Sequence, residues 1–473
     1  MSDLHELTVF DQLAALRSGE VSSRDLTEHY LERIDRLGDE LGAFVTVTAD
    51  LARAEADAAD GRLADGDPAP LLGLPLGIKD MHATAGVRTT LGSAALNDLV
   101  PTEDSWTVGL LRQAGGVLVG KTSSAELGAT CFTHHALTGA PAVTPYGTGR
   151  YASGSSGGAA AAVAAGLLPF GHASDGAGST RTPAATSHLI GVKPSRGLVS
   201  SAPAVSFLSA GTEGPIARTV TDAALLLDVM AQAWSGDLYG WGTERPFVDA
   251  LDVQRPLRIA TWTDTGIPGV DPHPESVRAV ARTVALLRDL GHDVVEISPP
   301  ATYDEQVRLS LVGLFACGVG LAARTVVPAS QVERMSAYSR WLVEQFDAQQ
   351  AQDVLVSQGV LARFAAAHLA ALAPFDVTLT PTTNGPPVPV GHFHLDGVEH
   401  VADRMLAWSC YTPFANLTGQ PAVAIPTHLD ADGLPHSVQL VGRPRRDAEV
   451  LALASQLERA GLWSDVHPPC WQR

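Results

Sequence analysis

The sequence predicts one large α/β domain carrying a helical insertion, and three observations predict it. Strand-like apolar runs interleave with helix-like patterns along the chain, no linker, repeat or low-complexity segment divides them, and residues 303–373 read as almost wholly helical. The 473 residues, 45% of them hydrophobic, suffice for a large core, although length alone would also allow two or three domains.

The first 65 residues read as helices. Ser22 and Asp25 have the spacing of a capping box, and Leu26, Tyr30, Leu31 and Ile34 form one apolar face behind it. Residues 51–63, rich in Ala, Asp and Arg, continue as helix, and 72–78 read as a strand running into Lys79. A helix over 105–114 stops at Gly115-Gly116, and 117–119 form a short buried strand. Small residues fill a helix at 157–166, followed by strands at 167–173 and 189–193 and a helix at 221–233. Strands at 258–261 and 293–297 flank a helix at 275–290. Beyond the insertion, strands at 377–379, 422–425 and 437–441 precede a last helix at 447–460.

Composition narrows the function classes. Charged residues make up 18% and the net charge is −19, which opposes nucleic acid or an anionic membrane surface as partner. Cysteines at 131, 317, 410 and 470 show neither a CxxC pair nor metal-like spacing, so a reduced, cytoplasmic protein is expected. Met1-Ser2-Asp3-Leu4-His5-Glu6 lacks the basic and apolar regions of a signal peptide. The longest apolar stretch, 159–168, is too short to cross a membrane.

Three short segments carry chemistry. Lys79 follows the apolar run Leu74-Pro75-Leu76-Gly77-Ile78, so the strand carries it inward, where burial disfavours the ammonium and frees the amine as a base. Ser174-Asp175-Gly176-Ala177-Gly178-Ser179 is a loop of small residues whose N–H groups can converge on an oxyanion, with Ser179 as nucleophile. In Ser153-Gly154-Ser155-Ser156-Gly157-Gly158, Ser155 could relay a proton between Lys79 and Ser179, while Ser156 reads as a helix cap.

Other motifs do not hold up. Gly115-Gly116-Val117-Leu118-Val119-Gly120-Lys121-Thr122 spells a phosphate loop, but its interior reads as a strand rather than a flexible loop. Gly154-Ser155-Ser156-Gly157-Gly158 spells a nucleophile elbow on Ser156, yet no context selects an acid and a histidine to serve it. His134, His135 and His172 have no third ligand at recognisable spacing, so no metal is expected. Asn416-Leu417-Thr418 is a formal sequon without consequence in an unsecreted chain.

The three segments, in this order, resemble the amidase signature family. Leu72-Gly73-Leu74-Pro75-Leu76-Gly77-Ile78-Lys79-Asp80, Gly191-Val192-Lys193-Pro194-Ser195-Arg196-Gly197, Asn416-Leu417-Thr418-Gly419-Gln420-Pro421-Ala422 and Val438-Gln439-Leu440-Val441-Gly442 extend the likeness over nearly the whole chain. The resemblance implies a single domain with a central mixed sheet covered by helices on both faces. Its catalytic signature core would be 70–230, and its insertion at 303–373 would line the substrate pocket. It further implies Lys79 as base, Ser155 as bridge through a cis peptide bond, and Ser179 as acyl-accepting nucleophile. The oxyanion hole would be the amides of Gly176, Ala177, Gly178 and Ser179, with Asp175 and Arg181 holding the loop. No cofactor is implied; the expected partners are a small-molecule amide and, at most, a second copy of the chain.

Departures from the family pattern lie at Ser153, Ala159, Ala177 and Thr180, all small enough to preserve the geometry. The 174–178 segment and Tyr411-Thr412-Pro413-Phe414 are similar to the branch containing 6-aminohexanoate cyclic dimer hydrolase. Cys131, Thr180, Cys317 and Trp408 are expected in the substrate pocket, with Leu311, Phe315 and Trp341 near it and loops 131–140 and 380–389 beside it. Three alternatives remain beside hydrolysis: a glutaminase-type component of an amidotransferase, an acyltransferase that uses an amine in place of water, and a binding protein on the same scaffold.

Overall fold

The computed structural model describes residues 3–203 and 210–473; Met1 and Ser2 of the stretch read for a leader lie outside the described residues. Eleven strands are present among them: β1 (Phe44–Val47), β2 (Pro75–Lys79), β3 (Val117–Thr122), β4 (Phe170–Asp175), β5 (Ile190–Lys193), β6 (Thr212–Ala217), β7 (Arg258–Thr261), β8 (Asp293–Glu296), β9 (Val377–Pro381), β10 (Ala422–Leu429) and β11 (Pro435–Gly442). They form one mixed sheet in the order β1-β3-β2-β4-β6-β5-β10-β11-β9-β7-β8. The β3-β2-β4 and β9-β7-β8 runs are parallel, and the pairings between these runs are antiparallel.

Alternation within single strands shows that both faces are covered. Leu118 joins a core with the helices Val9–Ser18, Trp106–Gln113 and Val220–Met230, whereas its neighbours Val117 and Val119 join another with the helix Gly157–Ala164. At the far end Ile259 belongs to the first core and Ala260 to a third, shared with Phe364 and Phe414. β2 and β3 are buried along their whole length, as central parallel strands must be.

Several boundaries differ from expectation. The first 65 residues are not all helix, because Phe44–Val47 forms the edge strand β1, four residues caught between the helices Ser23–Leu41 and Ala49–Ala64. β6 was unread, since Gly214-Pro215 interrupts its pattern, and so were the short helices Arg181–Thr186, Val401–Ser409 and Pro413–Thr418. β4 begins and ends later than expected, which puts Ser174 and Asp175 on the strand rather than in a loop. At Ser22 the hydroxyl accepts the Asp25 N–H at 2.9 Å and donates to the Asp25 carboxylate at 2.7 Å.

The insertion is helical as expected: Glu305–Thr325, Ala337–Ala348 and Ala351–Leu372. The first and last are long and apolar enough to cross a membrane by length and composition, which the sequence reading did not note. Here Val307, Leu311, Val360 and Phe364 pack them against the domain, while Leu309, Leu321, Leu355 and Val356 are exposed.

Candidate active site

Lys79 is the last residue of β2, and its side chain is fully buried at the carboxyl edge of the parallel strands. Nζ lies 2.7 Å from Ser155 Oγ, 2.9 Å from Ser174 Oγ and 3.3 Å from the Ser174 carbonyl oxygen. No ion pair forms to it among the described residues. Burial lowers its pKa from 10.5 to about 7, against the opposing pull of Asp175 and Glu213. A large share of this amine is therefore uncharged near neutral pH.

Ser155 reaches Lys79 from the segment before the helix Gly157–Ala164, and the Gly154–Ser155 peptide is cis. A Cβ on Gly154 would lie 2.6 Å from Phe132 backbone atoms, so only glycine fits there. Ser153 takes a positive φ of 62° that glycine would adopt more readily; its hydroxyl donates to the Cys131 carbonyl at 2.9 Å and lies 3.0 Å from Thr182 Oγ1. Ser156 stands at the start of the helix but does not cap it. Its hydroxyl turns to the Ser174 backbone instead, donating to the carbonyl at 3.3 Å.

Ser179 sits just past β4, in a turn fixed by one carboxylate. Asp175 Oδ1 accepts the Gly178 N–H at 2.7 Å and Oδ2 accepts the Thr180 N–H at 3.2 Å. Arg181 donates to the same carboxylate from Nε and from its NH2 group, both at 3.0 Å, and neither residue's side chain is exposed. Arg181 then anchors this turn to the far side of the sheet through the Thr412 carbonyl (3.0 Å), Gln439 Oε1 (2.8 Å) and Asn416 Oδ1 (2.6 Å). Burial works to raise the Asp175 pKa, yet the Arg181 guanidinium holds it well below the usual carboxylate range.

This arrangement corrects one expectation. The Gly178 N–H is spent on Asp175, so it is not free to meet an oxyanion. The N–H groups of Gly176, Ala177 and Ser179 make no hydrogen bond among the described residues, and neither does the Ser179 hydroxyl. Glycine is required at 178: φ is 132°, and a Cβ would lie 2.3 Å from Thr412 Oγ1. Thr412 in turn donates to the Ala177 carbonyl at 2.6 Å.

The sequence reading missed the support behind Lys79. Its backbone N–H donates to His172 Nδ1 at 3.4 Å, which leaves the ring proton on Nε2 to donate to Glu213 Oε2 at 2.7 Å. His82 Nδ1 lies 3.3 Å from that same oxygen, and its burial pushes the imidazole pKa down to about 3. The three side chains sit within metal-ligand distance of one another. However, the tautomer set by Lys79 makes His172 Nε2 a donor, the wrong state for a ligand. Of the other histidines considered, His135 is buried 3.0 Å from Thr90 Oγ1 and His134 is exposed.

Two cavities meet at Ser179. The narrow one, about 90 Å³, is walled by Cys131, Leu311, Val312, Phe315, Met405 and Leu406 and reaches Ala177 and Gly178. The wide one, about 540 Å³, holds Ser155, Ser174, Gly176, Cys317, Gln349 and Ser357. Phe315 and Gly128 border both. Of the expected pocket residues, Cys131 and Cys317 therefore line one cavity each, and Thr180 and Trp408 line neither. Thr180 is buried beneath the loop with an unpartnered hydroxyl. Trp408 packs edge-on against Phe393 and donates to the Pro386 carbonyl at 3.1 Å. Trp341 stacks on Tyr338, and residues 380–389 border neither cavity.

The fold and site are those of a single-domain α/β enzyme with its polar centre at the carboxyl edge of a mixed sheet. The chain belongs to the Amidase family, whose profile matches residues 25–451, and it is a hydrolase acting on amides. It is 38% identical over 466 residues to "Putative amidase AmiB2" of Mycobacterium tuberculosis, spanning 97% of this chain and 96% of that one. It is 33% identical over 491 residues to a glutamyl-tRNA(Gln) amidotransferase component from Chromohalobacter salexigens, spanning 98% and 99%. The structure of 6-aminohexanoate cyclic dimer hydrolase complexed with substrate superimposes with a TM-score of 0.90 at 28% identity, covering 99% of this chain and all (100%) of that one.

Proposed function

We propose that the protein cleaves a carboxamide through a covalent acyl-Ser179 intermediate, with Lys79 as base and Ser155 as proton bridge. The observation that carries this reading is the buried Lys79 amine 2.7 Å from Ser155 Oγ, with Ser155 and Ser179 opening onto one cavity. As Ser179 Oγ attacks the carbonyl carbon, its proton passes to Ser155 Oγ and the Ser155 proton to neutral Lys79. The oxyanion is met by the N–H groups of Gly176, Ala177 and Ser179. Collapse breaks the C–N bond, and the proton returns through Ser155 to the leaving nitrogen. Water then adds to the acyl-enzyme, giving its proton to the same relay, and the carboxylic acid leaves as Ser179 recovers its own.

Ser179→Ala and Lys79→Ala should each lower kcat by at least about a thousandfold. A fluorophosphonate should label Ser179, and acid quench should trap an acyl mass there. Full turnover by Ser179→Ala would remove the mechanism, and absence of labelling would favour a binding protein. The likeness to the amidotransferase component supports a second reading as a glutaminase partner or an acyltransferase. That reading expects the purified chain to be inert with water alone and active once a partner or an amine acceptor is added.

A further inference from the structure

We propose that the two cavities meeting at Ser179 divide the substrate, the narrow one taking the acyl group and the wide one the amine. They would select secondary amides that join a short apolar acyl group to a larger, uncharged, hydrogen-bonding amine. This assignment rests on the acyl-Ser179 reading above.

The direction of proton flow decides which side is which. The leaving nitrogen must be protonated by Ser155. Ser155 and Ser174, the two hydroxyls among the described residues within hydrogen-bonding distance of Lys79 Nζ, both line the wide cavity, and neither lines the narrow one. The nitrogen and its substituent therefore lie on the wide side. With the oxyanion at the loop amides and the third bond made to Ser179 Oγ, the remaining substituent is the acyl chain. The narrow cavity, which starts at Ala177 and Gly178, is where it fits. Deacylation demands the same arrangement: water must reach the Ser155 relay through space the amine has vacated, while the acyl chain stays in place.

Size and chemistry then name the substrate class. At about 90 Å³ the narrow cavity is smaller than the ~150 Å³ that admits a benzene ring, so it suits a short aliphatic chain. Its two charged lining residues, Arg308 and Asp403, pair with each other at 2.7 Å and offer no free charge to an acyl carboxylate. Among the described residues the wide cavity is lined by one charged residue, Asp175, already committed to Arg181. Its outer wall combines Leu361 and Val354 with the Gln349 amide nitrogen, Ser357 Oγ and the Gln358 amide, which make no hydrogen bond among the described residues. Gln349 Oε1 accepts the Cys317 thiol at 3.2 Å, turning that amide nitrogen into the open donor of the wall.

The test separates the two half-reactions. A common butyryl group is placed on methylamine, ethanolamine and N-acetylethylenediamine, and acetyl, butyryl and octanoyl groups are placed on ethanolamine. Rapid quench with mass detection of acyl-Ser179 gives acylation and deacylation rates separately. kcat/KM should rise across the amine series and fall at octanoyl, with one deacylation rate for butyryl-enzyme whichever amine delivered it. Gln349→Leu and, independently, Ser357→Ala should slow acylation by the ethanolamine and N-acetylethylenediamine amides about three- to tenfold, leaving deacylation at the wild-type rate. Ala402→Leu, which fills the narrow cavity, should slow both steps for butyryl more than for acetyl. The assignment is overturned if Gln349→Leu and Ser357→Ala alter deacylation or acyl-length preference, or if Ala402→Leu alters amine preference. Absence of any butyryl adduct on Ser179 would instead remove the acyl-enzyme reading, a result independent of either ranking.

Discussion

The turn that carries Ser179 and the helical wall facing it are held in opposite ways. The turn is over-determined: one unexposed carboxylate, Asp175, fixes its amides, and one unexposed guanidinium, Arg181, ties it across the sheet. The wall is loosely specified. Leu355 and Val356 face outward, Gly313 and Gly318 thin the inner surface, and Gln349, Ser357 and Gln358 end in the cavity. On the proposed reading, a scaffold built this way can keep its reaction and exchange its substrate, because different parts of the chain would answer for each.

Breaking the turn should have the largest effect. Arg181→Met leaves Asp175 buried without its partner and should cost about 3–5 kcal/mol in denaturant unfolding, with activity lost even where the variant stays folded. A stability change under about 1 kcal/mol would show that the turn is less tightly determined than the comparison holds. Next comes the base. As the proposed base, Lys79 would have to be uncharged to act, and burial lowers its pKa to about 7, so kcat should fall as pH drops through that region. Glu213 favours the ammonium, so Glu213→Gln should make the amine easier to deprotonate and move that limb to lower pH. An unmoved limb would place Glu213 in a purely architectural role.

The wall should respond more mildly. A Cβ on Gly318 meets open space in mid-helix, so Gly318→Ala should stabilise the protein by about 0.5–1 kcal/mol while changing its ranking of amines. The smallest effect should come from Thr180→Val, which deletes a buried hydroxyl that has no partner among the described residues. Thermal unfolding should register no loss, and at most a gain of about 1 kcal/mol.

Legibility in the sequence followed the same division. Lys79, Ser155 and Ser179 could be picked out as candidates because each lies in a short glycine-flanked segment, and the structure brings Lys79 and Ser155 within hydrogen-bonding distance. Ser174 and Glu213 were hidden by strand boundaries: β4 runs two residues further than its apolar pattern, and β6 is masked by Gly214-Pro215. His172 was visible as a residue, but its tautomer depends on a β2 backbone N–H ninety-three positions away. Trp408 and Thr180 were misplaced for a simpler reason. An aromatic residue at helical spacing can serve a core as well as a cavity, and a neighbour of the nucleophile can point beneath the loop. The Gly178 amide was miscounted because sequence proximity cannot show which of several adjacent N–H groups a carboxylate will claim.

The anchoring of Arg181 has a consequence for protein synthesis. Its partners Thr412, Asn416 and Gln439 lie 231, 235 and 258 positions downstream. A ribosome-bound chain that already displays Lys79, Ser155 and Ser179 still lacks the residues that anchor the turn at Ser179. The same holds for any product truncated before the last strands, which would carry all three groups without a working site. On the proposed reading, reactivity therefore arrives only with the C-terminal strands, after the helical insertion that borders both cavities has been made.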